Sequence, residues 1–327
     1  MRASLHILAA ALAIPQQQAP RTTTGTWEGG EVPSEHADGR GTGPVGPSDA
    51  SAGAPLALQA ARDALDRAGL QGADLDLLID FSVLPADYLV PAWNMTNRLQ
   101  RELGARRAVT LGFSGNGEGT FHVALKTALH LLGRERSGTA LLVAADRALP
   151  GNRRLPPDDP LVLLGDAASA LLLRTGEGPP RVLDVLVHSD GRYHDVCFIP
   201  GGGLAAPEAP CRMTLDRERF EQAPRWETLQ RLARHLLARH ELTPAQVRLL
   251  LYPGLSASDR QGFLDHVAPL FPKARMPGLH LPGYLFGNGC VAALDAAMTS
   301  DRTDAGDLAL LLSHGMGYTA GVTLLRF

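Results

Sequence analysis

Two stretches of this chain repeat one another. Gly115-Asn116-Gly117-Glu118 and Gly287-Asn288-Gly289-Cys290 each open an Ala/Leu-rich helical segment, and each helix leads into a very apolar strand. The first helix runs through Phe121, Ala124, Leu125, Ala128, Leu129 and Leu132 to the strand 140–146; the second runs through Val291, Leu294, Ala297 and Met298 to the strand 308–314. A repeat of this kind predicts a duplicated fold with paired loops. Glycines flanking a polar residue at a helix N-terminus let backbone N–H groups and one side chain face a ligand closely. Glu118 and Asn288 are therefore the first candidate functional residues.

Composition removes several alternatives. A formal charge of -3 with scattered Lys and Arg argues against a nucleic-acid surface, which needs a concentrated basic stripe. Three cysteines, Cys197, Cys211 and Cys290, without CxxC or zinc-type spacing, indicate neither a disulfide framework nor a structural metal, and fit a reducing cytoplasm. Arg2 followed by the apolar run 5–14 has the outline of a short leader and equally of a buried first strand; about ten apolar residues are too few to span a membrane.

Between 16 and 54 the chain is rich in Gly, Pro, Ser and Thr with no apolar period, which reads as a long loop or insertion. Beyond it, helices are expected at 56–70 and 91–103 and strands at 75–81 and 108–111. The segments 161–164 and 168–173 read as a hairpin turning at Gly165-Asp166. In the second half, a strand begins near Arg181, a helix spans 216–240 with a break near Pro224, a strand covers 247–252 and another helix covers 257–270. The strands are apolar without alternation, as in a sheet covered on both faces. The alternation of helix and strand gives an α/β fold.

Taken in order, Leu163-Leu164-Gly165-Asp166-Ala167-Ala168-Ser169-Ala170, Ser189-Asp190-Gly191 with Ile199-Pro200-Gly201-Gly202-Gly203, Phe286-Gly287-Asn288, and His314-Gly315-Met316-Gly317-Tyr318 resemble the thiolase superfamily, most closely its β-ketoacyl-acyl-carrier-protein synthase III branch, over roughly 56–327. The resemblance implies a thiolase-like five-layer αβαβα fold of two duplicated halves, here 1–178 and 179–327. It also implies a homodimer, an active site between the halves, acyl thioester substrates on acyl carrier protein or coenzyme A, and no metal or redox cofactor. Gly117, Phe286, Gly287, Gly315 and Met316 are the substrate-binding positions it places around that site.

Such enzymes use a Cys at the start of the first buried helix, with a His and an Asn from the second half. The Cys position falls on Glu118 and the His position on Gly254; Asn288 matches. The N-terminal substrate-contact motif is replaced by the Gly-rich segment. A carboxylate attacking a thioester must form an activated anhydride, so Glu118 suits proton transfer better than acyl carriage. The alternative is a helix-terminal charge serving the dipole, which would lower its pKa. His314 ends the last inward strand, and pairing with Glu118 would orient a proton acceptor; otherwise it bonds a neighbouring carbonyl. Asn288 would donate to a thioester carbonyl, with the backbone N–H groups near Met316 and Glu118 as oxyanion donors, or it simply caps its helix.

Lesser candidates are Ser114, Cys290 as the second-repeat equivalent of Glu118, the group His188, His194 and Asp195, and the helix carrying Arg225, Arg231, Arg234 and Arg239. That helix reads as a solvated face or as a contact for an acidic carrier or coenzyme A phosphate. The functional expectation is a ketosynthase III-like acyltransferase of polyketide or specialised metabolite biosynthesis with Glu118 as general base. Its competitors are a catalytically silent subunit paired with a Cys-containing paralogue, and a thioester decarboxylase or hydrolase.

Overall fold

The computed structural model describes residues 5–15, 53–84, 94–114, 117–133, 138–148, 153–156, 161–201, 208 and 211–327. The Gly/Pro-rich segment expected over 16–54 lies outside them except at its last two residues, as do Gly115 and Asn116.

The elements in chain order are β1 (Leu5–Ala13), α1 (Gly53–Ala68), β2 (Leu77–Asp80), α2 (Met95–Leu103), β3 (Val109–Gly112), α3 (Gly119–Leu132), β4 (Thr139–Asp146), β5 (Arg154–Leu155), β6 (Val162–Leu163), β7 (Ala167–Thr175), β8 (Arg181–Ser189), β9 (Cys197–Phe198), β10 (Thr214–Leu215), α4 (Arg217–Gln222), α5 (Arg225–Arg239), β11 (Val247–Leu251), α6 (Ala257–His266), α7 (Asn288–Met298), β12 (Leu308–His314) and β13 (Thr319–Arg326).

Nine strands form one hydrogen-bonded sheet in the order β11-β12-β13-β8-β1-β7-β4-β2-β3. The order is a topological repeat. Reading outward from the β1–β8 seam, β1-β7-β4-β2 and β8-β13-β12-β11 both run antiparallel, antiparallel, parallel. The seam itself is short, pairing Leu5 with Val182 and His6 with Arg181. Where β3 flanks β2 in the first half, the second half has a single bridge between Leu249 and Arg275.

Three apolar clusters define five layers. Small residues at i, i+3, i+4 and i+7 spacing, Ala57, Ala60, Ala61 and Ala64, bring α1 close to the first half of the sheet, and Met95 and Leu99 of α2 join them. Leu229, Leu232, Leu236 and Phe263 of α5 and α6 cover the second half in the same way. Between the halves lie α3 and α7, largely apolar and mostly buried, packed on strands from both. The sheet therefore folds over them at the seam. This is the thiolase-like five-layer α/β/α/β/α arrangement expected from the sequence.

The buried-strand reading of the N-terminal run is the one realised, since β1 sits in mid-sheet between β7 and β8. The hairpin expected across Gly165-Asp166 is overturned. β6 pairs with β5, while β7, apolar on both faces, takes β4 and β1 as neighbours. A strand buried on both sides gains more from two apolar neighbours than from a two-residue partner. Pro224 does divide the long helix expected over 216–240, into α4 and α5.

Candidate active site

Both central helices begin beneath a left-handed residue. Gly117 has φ +49 two residues before α3, and Phe286 has φ +55 two residues before α7. For a bulky residue such as Phe286 this conformation is strained and persists only where packing enforces it; Phe286 is buried against Tyr284. Measured from these residues, Glu118 corresponds to Gly287, and Cys290 lies inside the first turn of α7. The equivalence of Cys290 with Glu118 is thus corrected. The matching Gly-Asn-Gly letters are offset from the matching backbone.

Glu118 is 1% exposed, and neither carboxylate oxygen has a hydrogen-bond partner on any other of the described residues. It does not cap α3. Burial holds its carboxyl well above the usual carboxylate range; its own backbone N–H opposes this, and the charges of Asp259 and Asp146 reinforce it. The dipole alternative required the opposite shift. Gly315 lies directly on the group: a Cβ there would stand 2.5 Å from Glu118 Oε2 and 3.2 Å from the Gly117 Cα. Only glycine permits this approach.

His314, 2% exposed, ends β12 one residue before that contact. Its carboxylate partner is Asp259, with Nε2 3.1 Å from Oδ1, and not Glu118, so the expected Glu118–His314 hydrogen bond is corrected. The cause is topological. β11 and β12 are parallel neighbours, which brings Tyr252 and His314 out at one edge, where α6 presents Asp259. Arg225 approaches Asp259 Oδ1 at 3.9 Å while its guanidinium lies over the rings of Phe220 and Trp226. It is therefore an inward residue; Arg231, Arg234 and Arg239 form the solvated face.

Asn288 is fully buried and fully occupied. Its amide donates to Asp146 Oδ2 at 2.9 Å and to the Leu285 carbonyl at 3.1 Å, and its oxygen accepts from Ser169 Oγ at 2.7 Å. Asp146 also takes the N–H groups of Val83 and Leu84. Burial pushes its carboxyl up to about 7, against the pull of those amides. Asn288 thus ties α7 to β4, the second half to the first.

Phe286 and Met316 belong to one apolar cluster with Phe220, Leu255 and Tyr284, and Cys197 packs on its margin. Gly287 faces the ring of Phe81. The structure brings Glu118, Gly117 and Gly315 together, sets His314 with Tyr252 and Asp259, and leaves Asn288 engaged elsewhere. Asp259, Tyr252 and Arg225 were missed as partners of the site. Each polar residue that ends an apolar strand, here Tyr252 and His314, marks the carboxyl edge of a parallel pair, and that signal was available.

Ser114 is exposed ahead of α3. His194 and Asp195 pair at the surface, and among the described residues no group of three His, Cys, Asp or Glu side chains could hold a metal. No helix among them is long and apolar enough to cross a membrane.

No protein-family model matches the chain. A β-ketoacyl-[acyl-carrier-protein] synthase III of Synechococcus sp. (strain WH7803) is 31% identical over 291 residues, spanning 83% of this chain and 81% of the relative. A crystal structure of a 3-oxoacyl-(acyl-carrier-protein) synthase III superposes with TM-score 0.76 at 19% identity, covering 99% of this chain and 100% of the other. A priming β-ketosynthase from a polyketide biosynthetic pathway gives TM-score 0.74 at 19% identity, covering 99% and 97%.

Proposed function

The chain belongs to the β-ketoacyl-[acyl-carrier-protein] synthase III family, and from that premise we propose that it acts on acyl thioesters of acyl carrier protein or coenzyme A, in polyketide or other specialised metabolite biosynthesis, by proton transfer at Glu118. On this reading Glu118 stands where the resemblance places the acyl-accepting cysteine, and Gly254 where it places the histidine. The observation that carries it is the Glu118 carboxyl itself, buried at a helix-start loop with neither oxygen hydrogen-bonded to another of the described residues.

Burying a polar group without partners costs about 1–3 kcal/mol, and a chain keeps such a cost where the group is used. The raised proton affinity makes Glu118 a neutral acid at rest and a strong base once its proton has left. Gly117, Gly315, Met316 and Phe286 shape the surrounding wall, and His314 assists. Asn288 holds the two halves in register instead of facing the thioester. The protein works as a homodimer in the cytoplasm, with no metal or redox cofactor.

The test is incubation of the purified protein with acyl-coenzyme A and acyl-carrier thioesters, read by intact-protein and product mass spectrometry. Condensed or transferred product is expected without a covalent acyl adduct, and Glu118→Gln loses on the order of 10²-fold or more in turnover. An acyl adduct on the protein, or unchanged turnover in Glu118→Gln, overturns the reading. Release of only carbon dioxide or free acid would assign decarboxylase or hydrolase chemistry instead.

The engagement of both Asn288 N–H groups inside the protein favours a second reading, a catalytically silent subunit paired with a cysteine-bearing paralogue. Co-purification with that paralogue, with activity following only the paralogue's cysteine, would decide for it.

A further inference from the structure

Beside Glu118 the hydrogen positions can be assigned by counting donors. Asp259 Oδ2 receives the Tyr252 hydroxyl at 2.5 Å and the Leu255 N–H at 3.0 Å. Its other oxygen faces His314 Nε2 at 3.1 Å, and the same Nε2 lies 2.9 Å from Tyr252 Oη. Tyr252 has one hydroxyl hydrogen, and Asp259 holds it. Towards His314 both the phenolic oxygen and the carboxylate can then only accept, so Nε2 carries a hydrogen. The opposite nitrogen, Nδ1, is buried with no hydrogen-bond partner among the described residues. Nδ1 is thus a buried acceptor left without a donor among the described residues, on the residue that precedes Gly315 in the chain.

We propose that Asp259, itself held by the Tyr252 hydroxyl, is a positioning residue that fixes His314 as its Nε2–H tautomer and so presents Nδ1 as the proton acceptor of the Glu118 site. The assignment of the tautomer stands alone; its catalytic use rests on the proton-transfer reading of Glu118. When substrate enters, a water or substrate hydroxyl between the two groups takes the Glu118 proton as it gives its own to Nδ1, so that the Glu118 O–H bond breaks and an Nδ1–H bond forms. Glu118 becomes a carboxylate able to take a substrate proton. The imidazolium is balanced by Asp259, which is buried yet kept below the usual carboxylate range by His314, Tyr252 and the Leu255 amide. Arg225, stacked on Phe220 and Trp226, supplies the remaining positive charge at 3.9 Å from Asp259.

Nitrogen-15 NMR of histidine-labelled protein tests the assignment, with the His314 signals identified by their loss in His314→Gln. The wild type is expected to show a pyrrole-like Nε2 and a pyridine-like Nδ1. Asp259→Asn should invert this. Its amide oxygen must stay toward the Leu255 N–H and Tyr252 O–H, so its NH2 turns toward Nε2 and drives the hydrogen to Nδ1. Tyr252→Phe keeps the carboxylate and should keep the original tautomer; if Asp259→Asn does not fold, an Nδ1–H tautomer in Tyr252→Phe overturns the proposal.

In turnover assays Asp259→Asn should lose roughly 10²- to 10⁴-fold in kcat with KM little changed, and Asp259→Glu should recover part of it. A wild-type Nδ1–H tautomer, no inversion in Asp259→Asn, or undiminished kcat in that variant overturns the proposal. If the wild type turns over no thioester, the reading of Glu118 fails, while the spectra still decide the tautomer.

Discussion

Replacing Glu118 by Gln isolates one proton. In the unfolded chain a glutamate titrates near ~4.3, whereas in the folded protein burial holds Glu118 well above its ordinary value. A raised folded value means that the native state keeps a proton the unfolded state has released. The group's contribution to stability is therefore whole below about pH 4.3 and is lost as pH climbs toward the folded value, at about 1.4 kcal/mol per pH unit. Solvent does not soften this, because the side chain is 1% exposed. Glu118→Gln keeps the shape but has no proton to defend. Urea unfolding of the two proteins at rising pH from about pH 4.5 should show the variant gaining on the wild type by about 1.4 kcal/mol for each pH unit below the folded value. With an unfolding entropy of about 2.1 cal/mol/K per residue, that is a gain of about 2 °C in Tm per pH unit for 327 residues. Asp146, pushed up to about 7, slopes both curves alike and largely cancels in the difference. Parallel stability curves for the two proteins would refute the reasoning, for they would mean that the carboxyl is solvated or paired.

Three other perturbations probe the same architecture. Gly315→Ala sets a methyl group 2.5 Å from Glu118 Oε2 and should cost about 1–3 kcal/mol in urea unfolding, most of it recovered when combined with Glu118→Ala. Asn288→Ala removes the amide that joins Asp146 to Ser169 and should destabilise by about 1–3 kcal/mol. In timed iodoacetamide labelling read by peptide mass spectrometry, exposed Cys211 should react well ahead of Cys290, which is enclosed in the core with its thiol pushed up by burial to about 12.

Much of the fold was legible because its signals are local or periodic. The alanine stripe of α1, the break at Pro224 and the apolar runs of β4 and β12 each declare one element without reference to the rest. Pairing was harder. Gly165-Asp166 looks like a hairpin turn, yet Asp166 accepts the Ala148 N–H and forms a two-pronged ion pair with Arg153, so the segment is a clamp on a neighbouring loop. In the site, Glu118 could be found from helix-start position alone, whereas the Tyr252–Asp259–His314 set depends on two strands lying parallel and on a helix folding back across their ends. Asp259 in sequence is an ordinary acidic residue in a first helical turn. The letter repeat Gly-Asn-Gly misled because backbone conformation, set by Gly117 and Phe286, and not residue identity, aligns the two halves.

The placing of β1 bears on how this molecule is made. Its residues pair with 168–175 and 181–182, so on the ribosome the strand emerges before more than 150 residues that must be synthesised to flank it. At about 5–20 residues per second that delay is on the order of 10–30 s. Throughout it, an apolar nine-residue segment is a strand without a sheet, open to whatever binds nascent apolar chain. Changes in β1 should therefore show first as lost yield of folded protein, before any loss in the stability of the molecules that succeed.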